Sequence, residues 1–372
     1  QGGGGIYNLS GTLTINTGTE ITGNTANGAA GSGGGILNDV GGMLTINSAV
    51  ITGNTSNRAG GGIEDNSGAT GSVDLNDVTL NNNTTNASPG NGGGLHVTGA
   101  GTVEINGGTV NGNMAGAEGG GLWNGTGTMT VDGTEISGNT ASGDGTDQGG
   151  GGIYNLNGGT LMITNATISN NVADGTAGSG GGILNDVGSM LTVMDTEISG
   201  NTAVRAGGGI EDNSLTSTII LTNVDLVGNS VTGPPGNGGG LHITGAGSAT
   251  ITGGNVTGNT ASLQGGGLWN GTGTMTITNV DIEGNTAEGD AATDGGGGVY
   301  NVSGTVEIID SEITENEANG TSGSGGGIFS AAGNVTIVNS EVNENSASRA
   351  GGGIEIVAGV LTVNGSELNF NE

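Results

Sequence analysis

The few side chains that could carry chemistry stand at fixed places in this chain. The sequence has 3 basic residues against 34 acidic ones and a formal net charge of −31. All of the basic residues are arginines that stand five residues before an aliphatic residue, which a glutamate follows. Because a guanidinium can hold a carboxylate through two hydrogen bonds, this spacing predicts the salt bridges Arg58–Glu64, Arg205–Glu211 and Arg349–Glu355.

A second series of side chains recurs directly after the same kind of aliphatic residue. Its members have the order Tyr, Leu, Glu, His, Trp, which repeats after every fifth member, with Phe in the place of Leu in the third copy. Strand alternation would turn these side chains away from the core. Three uses stay open: contact with a neighbouring molecule, stacking on sugar rings, and cover by the protein's own loops. We name the members other than Glu the stripe: Tyr7, Leu37, His96, Trp123, Tyr154, Leu184, His242, Trp269, Tyr300 and Phe329.

The histidines argue against an enzyme. His96 and His242 occupy equivalent places in the repeat, so they belong to separate copies and do not converge on one site. β-Helix lyases and hydrolases need clustered carboxylates or a cationic base in an irregular groove, whereas the loops here are short and repetitive. The chain has no cysteine, which excludes thiol nucleophiles and zinc–thiolate sites. We therefore expect no enzymatic activity and no required cofactor.

Two Gly-rich loops gather acidic side chains. Asp144 and Asp147 lie in one loop, and Asp290 and Asp294 lie at the equivalent place. Carboxylates and carbonyl groups in flexible turns suit Ca²⁺, a hard cation that prefers oxygen ligands. The loops do not match the Gly-Gly-x-Gly-x-Asp calcium repeat, so solvated loops without a metal are the alternative.

The elements that position these residues are short strands in a repeated coil. Each repeat opens with glycines and one aliphatic residue, continues with an alternating segment such as Thr128-Met129-Thr130-Val131, and ends in aliphatic-x-x-Asn. Alternation with a period of two is typical of strands. Three strands in each repeat predict an all-β fold, a right-handed parallel β-helix or β-solenoid. We expect thirteen coils, marked by Ile6, Ile36, Ile63, Leu95, Leu122, Ile153, Ile183, Ile210, Leu241, Leu268, Val299, Ile328 and Ile354.

An asparagine follows the third strand of every coil. It is predicted to turn inward and to form a ladder of amide hydrogen bonds between coils. Asparagine also tolerates the left-handed backbone conformation that a tight turn demands. The predicted ladder residues are Asn24, Asn54, Asn83, Asn113, Asn139, Asn171, Asn201, Asn229, Asn259, Asn285, Asn316, Asn345 and Asn371.

The coils group into longer copies. The order of the stripe divides the chain into two blocks of five coils, residues 1–147 and 148–294, and a partial block, residues 295–372. Because stacked coils bury their aliphatic side chains only against neighbouring coils, we expect the blocks to form one β-solenoid domain, residues 1–372.

The paired motifs Gly-Gly-Gly-Ile and Ile-x-x-Asn resemble the Gly-Gly-Ala-Ile and Phe-x-x-Asn repeats of chlamydial polymorphic outer-membrane proteins. They are equally similar to the Gly-Gly-Gly-Ile-Tyr-Asn repeats of large bacterial surface proteins with right-handed β-helices. The resemblance covers the whole chain, although aliphatic residues replace Phe here. It implies a secreted prokaryotic protein that is displayed at the cell surface and used in adhesion or in an outer layer.

These features predict a non-enzymatic, acidic, extracellular structural protein, a subunit or segment of a cell-surface filament or adhesin stalk. Its expected partner is another copy of itself or the continuation of a longer chain. The alternative is a carbohydrate-binding surface module that holds a surface glycan on the stripe. Negative charge repels nucleic acid and anionic membranes, and no apolar run of the sequence has the length of a membrane span.

Overall fold

The computed structural model describes residues 2–86 and 89–372. The fold is all-β, a parallel β-solenoid of about 12 turns built from three sheets, which confirms the predicted fold class. The described residues contain one 3₁₀ turn, Gly68–Thr70, and no α-helix. The chain divides into two compact units, Gln1–Thr192 and Val193–Glu372, and this division falls inside the second five-coil block.

Each coil contributes up to four short strands, which we name A to D in chain order. The A strand follows the glycine run and forms the first sheet, the B and C strands share the second sheet, and the D strand forms the third. The A, B and C strands are the three predicted segments, whereas the two-residue D strand, which follows the ladder asparagine, was not predicted.

The A strands of the first unit are Ile6–Asn8, Ile36–Asp39, Ile63–Asn66, Leu95–Val97, Leu122–Asn124, Ile153–Asn155 and Ile183–Asn185. Those of the second unit are Ile210–Asp212, Leu241–Ile243, Leu268–Asn270, Val299–Asn301, Ile328–Ser330 and Ile354–Ile356. The D strands are Thr25–Ala26, Thr55–Ser56, Thr84–Thr85, Met114–Ala115, Thr140–Ala141, Val172–Ala173, Thr202–Ala203, Ser230–Val231, Thr260–Ala261, Thr286–Ala287, Glu317–Ala318 and Ser346–Ala347.

The B strands are Thr12–Ile15, Met43–Asn47, Ser72–Asn76, Thr102–Asn106, Thr128–Asp132, Thr160–Thr164, Ser248–Thr252, Thr274–Thr278, Thr305–Ile309, Asn334–Val338 and Val360–Asn364. The C strands are Glu20–Thr22, Val50–Thr52, Thr79–Asn81, Thr109–Asn111, Glu135–Ser137, Thr167–Ser169, Asn255–Thr257, Asp281–Glu283, Glu312–Thr314, Glu341–Asn343 and Glu367–Asn369. Met190–Ser199 and Thr218–Val227 each join a B and a C strand into one strand.

Parallel pairing in strict register stacks like residues on one another. Leu44 and Ile46 pair with Val73 and Leu75 of the next coil, and all four side chains are buried. Since a single coil could not bury these side chains alone, the apolar contact between coils supplies the core of each unit.

The glycine run is required where one coil approaches the next. A Cβ atom on Gly239 would lie 2.3 Å from the carbonyl oxygen of Gly266 in the following coil, closer than any real contact. Gly238 has a φ of 65°, in the left-handed region that glycine adopts without strain. The run therefore lets the backbone turn into the A strand while adjacent coils stay within hydrogen-bonding distance.

Candidate functional site: ring stacks and polar ladders

Most of the stripe is buried, although strand alternation turns its side chains away from the core. Tyr154 is 3% exposed and Phe329 is fully buried. Trp269 is half-buried, and Tyr7 remains 49% exposed. Of the three uses left open, cover by the protein's own loops is the one that the structure contains. The buried members are Leu37, His96, Trp123, Tyr154, Leu184, His242, Tyr300 and Phe329.

Loops that precede the A strands contact several rings of the stripe. Tyr154 Oη donates to the carbonyl oxygen of Asp147 over 3.2 Å, and Tyr300 Oη donates to that of Thr293 over 3.1 Å. Burial, together with the charge of Asp294, raises the pKa of Tyr300 to about 12. The second residue of these A strands is therefore buried, although it faces away from the core.

The rings of successive coils stack on one another. In the first unit the centroids of His96 and Trp123 lie 4.1 Å apart, and those of Trp123 and Tyr154 lie 6.0 Å apart. The second unit repeats this series with centroid separations of 4.1 Å, 6.2 Å and 5.1 Å. Stacked pairs contribute about 0.5–1.5 kcal/mol beyond their buried area. The second series consists of His242, Trp269, Tyr300 and Phe329.

A buried carboxylate fixes each histidine. Glu64 Oε2 lies 2.8 Å from His96 Nδ1, and both side chains are almost fully buried. Thr98 Oγ1 donates to Glu64 Oε1 over 2.8 Å, so its proton is committed to the carboxylate. The 3.2 Å contact between Thr98 Oγ1 and His96 Nδ1 then requires the imidazole proton to be on Nδ1.

The second unit repeats this network and adds a cation. Glu211 Oε2 lies 2.8 Å from His242 Nδ1, and Thr244 Oγ1 donates to Glu211 Oε1 over 2.9 Å. Arg205 Nη2 approaches the same Oε1 at 3.4 Å. Burial acts against ionisation of Glu211, but His242, Arg205 and Thr244 outweigh it and lower the pKa of this carboxyl below its ordinary value.

The three arginines have different partners, and the predicted salt bridge Arg58–Glu64 is wrong. Arg205 and Arg349 each contact the glutamate six residues ahead, Glu211 and Glu355. Arg58 Nη1 instead donates to Ser32 Oγ over 3.2 Å. In the part of the chain that the structure describes, Arg58 forms no ion pair with Glu64, whose partners are His96 and Thr98.

The asparagine ladder runs through the interior of each unit. The main-chain nitrogen and Nδ2 of Asn229 both donate to Asn259 Oδ1, over 2.9 Å and 3.0 Å. Asn229 Nδ2 also donates to the carbonyl oxygen of Ile198 over 2.8 Å. The same pattern joins Asn24 to Asn54 and Asn83 in the first unit. Each interior amide thus has its buried donors and acceptor satisfied.

The left-handed backbone conformation belongs to the residue before the ladder asparagine, which corrects the expectation that the asparagine itself adopts it. Gly23 has a φ of 65° and Glu315 has a φ of 56°, and each immediately precedes a ladder residue. The ladder asparagines are not among the described residues with positive φ, so the residue before each one takes the left-handed turn while the asparagine amide stacks.

A second polar ladder, at the end of the A strands, was missed by the sequence reasoning. Asn8 Nδ2 donates to Asn38 Oδ1 over 2.6 Å, and Asn38 Nδ2 donates to Asp65 Oδ1 over 2.8 Å. Ser67 Oγ donates to Asp65 Oδ2 over 3.0 Å. Because an ionised carboxylate only accepts hydrogen bonds, the ladder ends at Asp65, which pairs with apolar Val97 in the next coil.

The loop acids proposed as calcium ligands have protein partners. The backbone nitrogen of Thr176 donates to Asp144 Oδ1 over 2.9 Å, and that of Thr321 donates to Asp290 Oδ1 over 2.8 Å. Asp294 Oδ1 accepts from Gln264 Nε2. No group of three or more potential metal-ligating side chains is present in residues 2–86 and 89–372. Calcium binding at Asp144, Asp147, Asp290 and Asp294 stays a prediction.

A cavity of about 380 Å³ is lined by two carboxylates, that of the loop residue Asp144 and that of Glu118. Asn91 Nδ2 and Trp123 Nε1 both donate to Glu118 Oε2, over 3.1 Å and 3.0 Å. Burial raises the pKa of Glu118, whereas the backbone and side chain of Thr176 lower that of Asp144. These carboxylates are anchored by structural hydrogen bonds, and the cavity is a cleft between loops of the solenoid.

Comparison with protein-family models, curated proteins and solved structures finds no match for this chain. Among the described residues, no helix has the length and apolar character that crossing a membrane requires.

Proposed function

We propose that this chain is a non-enzymatic structural segment of a cell-surface filament or adhesin stalk. One observation carries the proposal: the histidine and glutamate side chains that could perform chemistry form contacts within and between coils. His96 is fixed by Glu64 and stacks on Trp123, and the second unit repeats the arrangement. A catalytic site normally interrupts a repeat, whereas these residues follow it.

The charge and the repeat support an extracellular location. A net charge of −31 keeps such a surface soluble and repels nucleic acid and anionic membranes. The motif pair resembles the repeats of chlamydial polymorphic outer-membrane proteins and of large bacterial surface proteins, which favours display at a prokaryotic cell surface.

Burial of the stripe disfavours the carbohydrate-binding alternative. A sugar ring needs an open aromatic face, whereas His96 covers one side of Trp123 at 4.1 Å and Tyr154 lies over the other side at 6.0 Å. Glycan contact through the stripe would require the covering loops to open.

Electron microscopy of the purified chain, with and without calcium, tests the proposal. The matched control is the same chain with a polar capping coil added at each end. Elongated particles are expected for a stalk segment, and unbranched fibres that the caps abolish are expected for a filament subunit. Compact particles in every condition, or cleavage of a polysaccharide by the purified chain, would contradict the proposal.

A further inference from the structure

Asn–Gly dipeptides are abundant in this chain, and the structure divides them into two groups. In such a pair the backbone nitrogen of glycine can attack the side-chain amide carbon of asparagine, because glycine carries no side chain that blocks the approach. The asparagines of these pairs are Asn27, Asn91, Asn106, Asn111, Asn124, Asn157, Asn237, Asn270, Asn319 and Asn364.

The first group is held by the fold. Asn124 Nδ2 donates to Asn155 Oδ1 over 2.8 Å, and Asn270 Nδ2 donates to Asn301 Oδ1 over 2.9 Å. In other pairs the glycine nitrogen already donates a hydrogen bond, as Gly112 does to the carbonyl oxygen of Ser137. The pairs with a fully or almost fully buried asparagine begin at Asn91, Asn124, Asn237 and Asn270.

The second group is free to react. Its asparagines are exposed to solvent. Within the described residues no hydrogen bond holds their side-chain amides or the nitrogens of the following glycines. A methyl group on Gly28 or on Gly158 would meet open space, whereas one on Gly320 or on Gly365 would meet Gly289 or Asn339 of the preceding coil. We name this group the exposed Asn–Gly set: Asn27, Asn157, Asn319 and Asn364.

We propose that the exposed Asn–Gly set is a group of spontaneous modification sites at which asparagine deamidates. The glycine nitrogen loses its proton and forms a bond to the Asn Cγ atom. The bond from Cγ to the amide nitrogen breaks, and ammonia leaves. Water then opens the resulting succinimide at either carbonyl group and gives aspartate or isoaspartate. The reaction consumes one water molecule and needs no oxidant, reductant or cofactor.

The five-coil repeat shows that the product fits at two of these sites. A turn closed by a hydrogen bond from Gly31 to the carbonyl oxygen of Gly28 follows Asn27, and the same turn spans Gly320–Gly323 after Asn319. At the equivalent place in the middle block, the turn Gly175–Gly178 follows Asp174. Aspartate at this position therefore supports the same backbone turn.

The modification changes charge without touching the core. Each event adds one carboxylate to the surface, while the asparagines of the inner ladder keep their amides. Deamidation therefore makes the surface more acidic with time, and the stacking of the coils is retained.

Peptide mapping by mass spectrometry tests the proposal. The full chain is kept in mildly alkaline buffer at physiological temperature, and peptides are scored for the mass gain of an amide-to-acid change and for isoaspartate. All four members of the exposed set are expected to convert, whereas the four buried pairs stay intact. In urea, where the fold is lost, both groups are expected to convert.

A matched variant separates this chemistry from general ageing. Gly28→Ala places a methyl group in open space, and it is expected to slow conversion of Asn27 several-fold while Asn319 converts as in the wild type. The proposal is overturned if the buried pairs convert as fast as the exposed set in the folded chain. It is also overturned if the exposed set stays intact until urea is added.

Discussion

Gln264 Nε2 donates a hydrogen bond to Asp294 Oδ1 over 3.0 Å, and five coils earlier the same pair is present with its chemistry exchanged. Glu118 stands in the place of Gln264, and Gln148, in the place of Asp294, is hydrogen-bonded to it. In both copies the residue at the first position also accepts from the tryptophan nitrogen. One carboxylate and one amide therefore meet here in both copies, in opposite order.

This exchange predicts that a second substitution, at position 294, restores the stability lost by a substitution at position 264. Gln264→Glu places two carboxylates against each other and is expected to destabilise the chain by about 1–3 kcal/mol. Adding Asp294→Gln recreates the order found in the first unit and is expected to restore most of the loss. Urea denaturation of the wild type, both single variants and the double variant measures the coupling. Strictly additive losses would show that the two side chains do not interact.

The inner asparagine ladder predicts a large cost for one interior substitution. Asn259→Leu removes the acceptor of Asn229 and the donor to Asn285 and to the carbonyl oxygen of Leu226. Each orphaned buried group costs about 1–3 kcal/mol, so a loss of at least about 3 kcal/mol is expected in urea denaturation. The surface control Asn319→Leu is expected to change stability by less than about 0.5 kcal/mol. Equal losses would exclude a structural role of the ladder.

Asp65 predicts a pH-dependent stability. Burial is the main cause that raises the pKa of this carboxyl above its ordinary value. Folding therefore favours the protonated form, and this contribution is fully present below the unfolded pKa of about 3.9. It is lost as pH rises through the higher folded pKa.

Asp65→Asn keeps the shape of the side chain and removes its charge. The variant is therefore expected to gain stability relative to the wild type as pH rises above about 4. Urea denaturation across a pH series measures the difference. A gain that is largest at the lowest pH would reverse the sign and refute the assignment.

Replacement of the two histidines is expected to lower the free energy of unfolding by different amounts. Removing the partner of a buried polar group costs about 1–3 kcal/mol, and more where the group is charged. His96→Gln removes the imidazole nitrogen that lies 2.8 Å from Glu64 Oε2, whereas His242→Gln leaves Arg205 at 3.4 Å from Glu211 Oε1. The loss in the free energy of unfolding is therefore expected to be larger for His96→Gln. Identical losses would show that Arg205 contributes nothing.

The sequence predicts the coil well because its signals are local and repeated. Alternating residues such as Met129 and Val131 determine which side of the strand faces the core, and stacking follows from the repeat. The inner asparagine ladder is predictable for the same reason, since every coil has Asn at one place.

The site is less predictable because the alternation of apolar and polar residues does not show where the loops between strands pack. Nothing in the alternation places the loop before Tyr154 over its ring, so cover by loops was only one of the three uses left open. The same spacing predicted a salt bridge for all three arginines, but spacing does not show that Arg58 donates to Ser32 and that His96 lies 2.8 Å from Glu64. The ladder at Asn38 was missed because the residue type at this position changes to Asp65 and then to Val97 in the next two coils.

The most direct test of a structural role for the stripe is the variant Trp123→Ala, studied by urea denaturation and by binding to a glycan array. Trp123 is 6% exposed and stacks on His96, so its removal is expected to cost about 3–5 kcal/mol of stability. The array pattern is expected to match that of the wild type. A variant of wild-type stability that loses binding to a glycan which the wild type holds would contradict this account, because the stripe would then be a ligand surface.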